Sequence, residues 1–328
     1  MAVPAAAVAR FAAIPNVTAH VDVPLSRYTR FQIGGPAALL CETADANAFT
    51  HALHLARSLA LPPMVLGGGT NLVVSDAGYD GVILRFAGTE VAADGELLRV
   101  ESGAVLQYVV DESIQLGLQG LETMTGIPGY LGGAVYGNAG AYGHSIQEIV
   151  ESVLVTDGEA VFTMHNQDCQ FRYRESIFKE RKEWVILSAD LKFQRGDREV
   201  LATTAGEIRT IRDAKYPPTM RCAGSIFKNV FFAELPQSAQ AEVPRNLVRD
   251  GKVPSAWFLE QANVKGMRRG DIQVASYHAN LVYNDGAGTS ADLVAVIDEL
   301  KKRVRDRFGF DLEEEVQYVG FEYAATPS

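Results

Sequence analysis

Hydrophobic and polar positions change period several times along the chain, and each change marks an element. After IGGPA at 33 to 37, the run AALLC reads as a short buried strand. Asp45 then stands where a helix cap is expected, ahead of Phe49, Leu53, Ala56 and Leu59 on one helical face. Apolar runs at 64 to 66 and 81 to 86 supply two more strands. The pattern predicts a β-α-β unit with the glycines 67 to 69 placed directly after its second strand.

Alternation returns at LLRVES, and a helix is predicted over 106 to 116. The next segment, 117 to 143, holds nine of the 30 glycines in 27 residues, where average usage gives roughly two. Leu, Ile, Val, Tyr and Ala intervene between those glycines, so the backbone is expected to be packed and constrained, unlike a flexible linker. From 151 to 193 the runs VESVLV, AVFTM and WVILSADLKF read as strands, with TDGE turning between the first two. A helix over 204 to 215 stops at Tyr216-Pro217-Pro218, which marks a boundary. Beyond it, Ser290 is placed as the cap of a helix with Leu293, Ile297, Leu300, Val304 and Phe308 in register, and EEVQYVGF closes as a strand. The division expected is 1–87, 88–215 and 216–328.

Composition narrows the classes. With 47% hydrophobic and 21% charged residues, the 328-residue chain is expected to be globular with more than one core. Its formal charge of −10, without a Lys/Arg run, argues against a nucleic-acid partner. Cys41, Cys169 and Cys222 have no zinc, dithiol or disulfide spacing, which fits a reducing cytoplasm. The apolar opening MAVPAAAVARFAAIP is interrupted by Pro4, Arg10 and Pro15 and is expected to be a flexible lead-in, and no run is long enough to span a bilayer.

Gly67-Gly68-Gly69-Thr70-Asn71 can present consecutive N–H groups to a pyrophosphate, or can be a tight turn. The strand-like LVVS that follows departs from the helix of a Rossmann fingerprint. Paired with the second glycine segment, the loop favours an extended dinucleotide such as FAD. Arg174 in FRYRESIF offers a planar cation for a carboxylate or enolate, Ser225 in AGSIFKN a hydroxyl for proton donation, and Glu315 a carboxylate at the start of an apolar strand. Each has a bland counterpart: a solvated arginine, a turn serine, a solvated charge run. The six histidines form no metal pattern, and no Gly-x-Ser-x-Gly elbow occurs.

In order, YTRFQIGGPA, LGGGTNLVVSD, TGIPGYLGGAVYGNAGAYG, FRYRESIFK, AGSIFKN, SAWFLEQANVKG, ASYHANLVYN and EEEVQYVG cover most of the chain. Together they resemble the UDP-N-acetylenolpyruvoylglucosamine reductases. The resemblance implies an α+β chain with an FAD-binding fold of the vanillyl-alcohol-oxidase type, two α+β subdomains that clasp a non-covalent flavin, and a third α+β domain for the sugar nucleotide. It implies an oxidoreductase of peptidoglycan synthesis in which NADPH reduces FAD and the flavin then reduces an enolpyruvyl sugar nucleotide. Carried over, the cofactor would be held by Gly67, Gly68, Gly69, Thr70, Asn71, Leu72, Thr125, Gly126, Ile127, Pro128, Gly132, Gly133, Ala134, Asn138 and Gly140. Ser225 would protonate the substrate, Arg174 and Glu315 would stabilise the enol-like state, and Tyr173, Lys228 and Asn229 would contact substrate.

Val230 stands where the family usually has proline after FKN, and Glu175 where aspartate usually follows YR. The short stretch between LKF and AGS resembles the subgroup without a tyrosine-bearing loop. The competing readings are another flavoprotein oxidase of the same fold and a nucleotide-binding module without turnover.

Overall fold

Asp45 starts the first long helix: its carboxylate accepts from the N–H groups of Asn47 and Ala48, and the helix runs Ala46–Ser58. In the computed structural model, which describes residues 3–321, this helix belongs to a unit built from the residues through Val23, Ala37–Gly69 and Asp80–Pro217. The second unit gathers Pro24–Pro36, Thr70–Tyr79 and the residues from Pro218.

The first unit carries two large sheets, beside two two-stranded ones. A four-stranded sheet runs Thr18–Pro24, Pro36–Thr43, Tyr79–Phe86, Pro63–Val65, and Met64 lies opposite Ile83 in its parallel pair. Helix Ala46–Ser58 is the crossover, burying Phe49, Ala52, Leu53 and Ala56 with Leu39, Val82, Leu84 and Phe86. Phe49 meets Phe86 edge-on at 5.7 Å, and each such fully buried side chain contributes about 1.5–3 kcal/mol. The N-terminal segment is not the expected lead-in. It forms a helix, Ala5–Ala12, whose Phe11 is fully buried with Ile14 in the same core, because its apolar positions fall on one face despite Pro4 and Arg10.

The second sheet is antiparallel, in the order Val161–His165, Val150–Thr156, Val185–Lys192, Leu97–Glu101, Val91–Asp94. Helices Leu106–Gln115 and Arg198–Lys215 share its core through Val109, Val110, Leu201 and Ala205. The latter helix begins six residues before the predicted start, capped by the Asp197 carboxylate on the N–H groups of Glu199 and Val200. Its first turn is exposed, so apolar spacing gave no sign of it. All three cysteines are buried free thiols, and burial pushes Cys41 and Cys169 up to about 12 and also raises Cys222.

The second unit holds a sheet of order Cys222–Ser225, Leu281–Asn284, Ile272–Val274, Arg268–Arg269, and a parallel pair of Leu72–Val74 with Gln317–Val319. Helix Ser290–Phe308 buries Leu293, Ile297, Leu300, Val304 and Phe308, the register read from the sequence. Its cap is Thr289, one residue earlier than predicted, with Thr289 Oγ1 accepting from Asp292 N at 3.1 Å. Ser290 is the first helical residue, and its N–H donates to the Asp76 carboxylate at 2.8 and 3.0 Å while its hydroxyl accepts from Asp76 N at 2.9 Å. A residue of the LVVSD motif therefore closes a helix far away in sequence.

Asp76→Ala removes a carboxylate that both accepts orphan helix N–H groups and complements the helix dipole. We expect it to lower unfolding free energy by about 1–2 kcal/mol in urea titration. An unchanged midpoint would mean that the cap carries no net stability.

Candidate active site

In the first unit the two glycine segments touch. A Cβ on Gly68 would lie 3.0 Å from Gly129 Cα, so close approach is what requires glycine there, while Gly69 next to it takes a left-handed φ of 60°. On Gly67 and Gly133 a Cβ would meet no atom within 4 Å, which leaves an open floor beside both segments. Thr125 is 3% exposed, and its Oγ1 has no hydrogen-bond partner within the protein. A buried hydroxyl left so costs about 1–3 kcal/mol, which a ligand acceptor or donor would offset. Open glycine faces and a waiting hydroxyl fit a phosphate-bearing cofactor.

The other predicted loop residues have mixed duties. Gly126 N–H donates to Gln107 Oε1 at 2.7 Å, Ile127 N–H to Met124 O at 3.0 Å, and Gly132 N–H to Ser102 O at 2.9 Å, so these amides shape the loop. Pro128 is exposed, and Ala134 is buried in the core. Asn138, 2% exposed, donates to Gln147 Oε1 at 3.0 Å and to Arg172 O at 2.8 Å. Gly140 sits in a hairpin with Ser145, where a Cβ would meet His144 O at 2.4 Å.

Residues that sequence reasoning did not single out support the loop. Tyr130 Oη accepts from Arg85 Nη2 at 2.6 Å, and Arg85 also pairs with Glu42. Burial opposes the Arg85 charge, but Tyr130 and Glu42 outweigh it and its pKa is raised. The Arg212 side chain lies over Gly126, 3.2 Å from where a Cβ would stand.

Arg174 is bound to the same glycine segment. Arg172 and Glu175 exchange backbone hydrogen bonds of 3.0 Å each, closing a turn in which Arg174 adopts a left-handed φ of 59°. For arginine that conformation costs on the order of 1 kcal/mol or more. It is held by Arg174 Nη2 donating to Gly140 O at 2.8 Å, by Lys179 Nζ donating to Arg174 O at 2.5 Å, and by Asn138 on the turn's first carbonyl. Its guanidinium also lies 5.1 Å from the centre of the Tyr173 ring. Beneath, Ser176 Oγ donates to Tyr136 O at 2.6 Å, and burial, then Glu175, raises the Tyr136 pKa.

The second unit joins Ser225, Lys228 and Glu315. Cys222 pairs with Tyr283 but Ser225 with Leu281, so the Ser225 strand carries one extra residue. Gly224, at a φ of 79°, lies within this bulge, a feature that re-aims the following side chain. After Ser225 the chain lies antiparallel to 313–315, with Glu315 N–H donating to Ile226 O at 2.7 Å and Lys228 N–H to Glu313 O at 3.0 Å. The three glutamates part company: Glu313 holds the buried Lys228 ammonium at 2.5 Å, Glu314 holds Lys301 at 2.9 Å, and the Glu315 carbonyl accepts from Asn71 Nδ2 at 2.8 Å. Asn280, of the HAN motif and 3% exposed, grips both Phe227 N–H and Phe227 O at 2.9 Å and so fixes the backbone two residues from Ser225. Asn229 follows Lys228 and is half-buried. No group of His, Cys, Asp and Glu suited to a metal occurs among the described residues.

These features define an α+β FAD-binding protein. Residues 37–162 match the family model described as an FAD binding domain, and residues 216–319 that of the UDP-N-acetylenolpyruvoylglucosamine reductase C-terminal domain. The chain is 55% identical to the UDP-N-acetylenolpyruvoylglucosamine reductase of Solibacter usitatus over 95% of its length and 100% of the relative's. With that of Rubrobacter xylanophilus it shares 37% identity over 92% of its length and 95% of the relative's. The crystal structure of the Thermus caldophilus UDP-N-acetylenolpyruvylglucosamine reductase superposes with a TM-score of 0.71 at 28% identity, covering 92% of this chain and 98% of that one. The chain belongs to the UDP-N-acetylenolpyruvoylglucosamine reductase family.

Gly68→Val pushes a branched side chain against the Gly129 backbone and separates the two loops. The variant should purify folded, with a thermal midpoint within several degrees of the parent, but without the yellow of bound flavin. Full flavin occupancy would remove the loops from the cofactor site.

Proposed function

We propose that the protein is an FAD-containing, NADPH-dependent oxidoreductase that reduces UDP-N-acetylglucosamine enolpyruvate to UDP-N-acetylmuramate, a step of peptidoglycan precursor synthesis. The observation that carries the mechanistic reading is the backbone hydrogen bond from Glu315 N–H to Ile226 O at 2.7 Å, which lays residue 315, ahead of the last strand at Gln317–Val319, beside the residue that follows Ser225. The backbone of 67 to 72 and of 125 to 134 would cradle the cofactor, with the Thr125 hydroxyl as a side-chain ligand and the 138 to 140 turn beside them. When bound, FAD supplies a hydride acceptor for NADPH and a hydride donor for the enolpyruvyl methylene carbon.

The chain's own side chains then handle charge and proton. Hydride arrival at the methylene carbon pushes an electron pair toward the adjacent carbon and its carboxylate, so negative charge builds there. Arg174, its position fixed by the Gly140 carbonyl, meets that carboxylate with a guanidinium that needs no rearrangement as charge develops. Glu315 stabilises the same enol-like state. Ser225 donates its hydroxyl proton to the carbon next to the carboxylate, which completes addition of hydride and proton across the double bond. Lys228, Tyr173 and Asn229 contact the substrate.

The first two segments, 1–87 and 88–215, hold the flavin, and 216–328 holds the sugar nucleotide. The small-molecule partners are the sugar nucleotide and NADPH, not nucleic acid. The place of action is the cytoplasm, in keeping with the buried, unpaired thiols; no described helix is long and apolar enough to cross a membrane.

Neither glycine loop contains an internal histidine or cysteine, and His144 lies just outside. Acid precipitation should therefore leave the flavin in the supernatant; flavin that stays with the polypeptide would require a covalent attachment. Ser225→Ala should be bleached by NADPH at the parent's rate, yet be reoxidised by the enolpyruvyl sugar nucleotide about 10²- to 10⁴-fold more slowly. Stopped-flow absorbance reads both steps, and unchanged reoxidation would take Ser225 out of the mechanism.

A further inference from the structure

We propose that the Asn71 carboxamide is a positioning group for Glu315: it fixes the backbone that carries this carboxylate and so governs substrate reduction, beside the part its backbone has in the cofactor loop. The proposal rests on the role given to Glu315 above. Asn71 makes two bonds that straddle Val316. Its Nδ2 donates to Glu315 O at 2.8 Å, and its carbonyl accepts from Gln317 N–H at 3.0 Å. Because the partner of the side chain is a carbonyl, the atom facing it must be the amide nitrogen.

A side chain is needed here for register. The parallel pair that follows, Leu72–Val74 with Gln317–Val319, spans three residues on each strand. A slip by one residue would turn every side chain of 317 to 319 to the opposite face and carry residue 315 out of place with them. Backbone bonds cannot prevent it, since every residue offers the same N–H and C=O, and the bond from Glu315 N–H to Ile226 O is of that indifferent kind. The Asn71 Nδ2 adds a donor of fixed reach aimed at the Glu315 carbonyl, which holds the backbone of that residue beside the segment that follows Ser225.

The test uses the flavin-loaded full chain and three variants, Asn71→Asp, Asn71→Ala and Glu315→Gln, with stopped-flow absorbance of both half-reactions. Asn71→Asp keeps the shape but faces the Glu315 carbonyl with an oxygen. Relative to the parent, reoxidation by the enolpyruvyl sugar nucleotide should slow about tenfold more than bleaching by NADPH does, the scale of one lost hydrogen bond. The introduced carboxyl can donate only when protonated. The ratio of variant to parent reoxidation rate should therefore rise as pH falls, and Asn71→Ala should show the same slowing without that rise.

Added to Glu315→Gln, either Asn71 variant should slow reoxidation no further. If Glu315→Gln itself leaves reoxidation unchanged, the role of Glu315 falls first. If Glu315→Gln slows reoxidation and both Asn71 variants do not, or if they lose flavin, slow both half-reactions alike or fail to fold, the positioning role is overturned.

Discussion

The stretch from Glu313 to Val319 has no neighbours in sequence that could hold it, and it is secured on both edges by residues far away. On one edge Glu315 N–H donates to Ile226 O and Lys228 N–H donates to Glu313 O; on the other, Gln317 N–H donates to Asn71 O and Ser75 N–H to Val319 O. Each such bond contributes only about 1 kcal/mol net, but together they leave the strand one position. Close packing allows this. A Cβ on Gly320 would stand 1.9 Å from Gly78 O, and one on Gly78 would stand 1.9 Å from Pro36 O, so three backbones meet where no side chain fits. The second unit can therefore recruit 24–36 and 70–79 from early in the chain and use them as the wall on which its last strand is laid.

The chain is acidic overall, and two of its cations are fixed by its own groups. The Lys228 ammonium is buried against Glu313, and the Arg174 guanidinium is anchored on the Gly140 carbonyl. A charge already oriented loses little freedom when a ligand arrives. The left-handed φ of Arg174 is held in the same way, by Asn138, Lys179 and the Gly140 carbonyl. The bulge before Ser225 does similar work on the other unit, changing the direction of one side chain at the cost of one unpaired ladder position.

The amino-acid sequence by itself determined the elements with strong periodicity, because burial on one face imposes spacing: Ala46–Ser58, four strands of the antiparallel sheet and Ser290–Phe308 are legible in it, while the largely exposed edge strand Val91–Asp94 is not. The ordered motifs also determined the family. Tertiary structure alone decided what those residues touch. The run of three glutamates reads as one solvated patch, yet the Glu313 carboxylate pairs with Lys228, the Glu314 carboxylate with Lys301, and the Glu315 carbonyl with Asn71, because distant segments fold against it. Asn71 reads as part of a phosphate loop, and its carboxamide is engaged with a carbonyl 244 residues away. Asp76 reads as the end of a strand motif and caps a helix whose own Ser290 was expected to do so. The helix at Ala5–Ala12 and the first turn of Arg198–Lys215 escaped the sequence for the opposite reason: the first owes its order to a core assembled from later strands, and the second is exposed and owes its order to a cap. Local spacing is fixed by which face must be dry, but long-range partners are fixed only when the folded backbone brings a donor within reach of an acceptor.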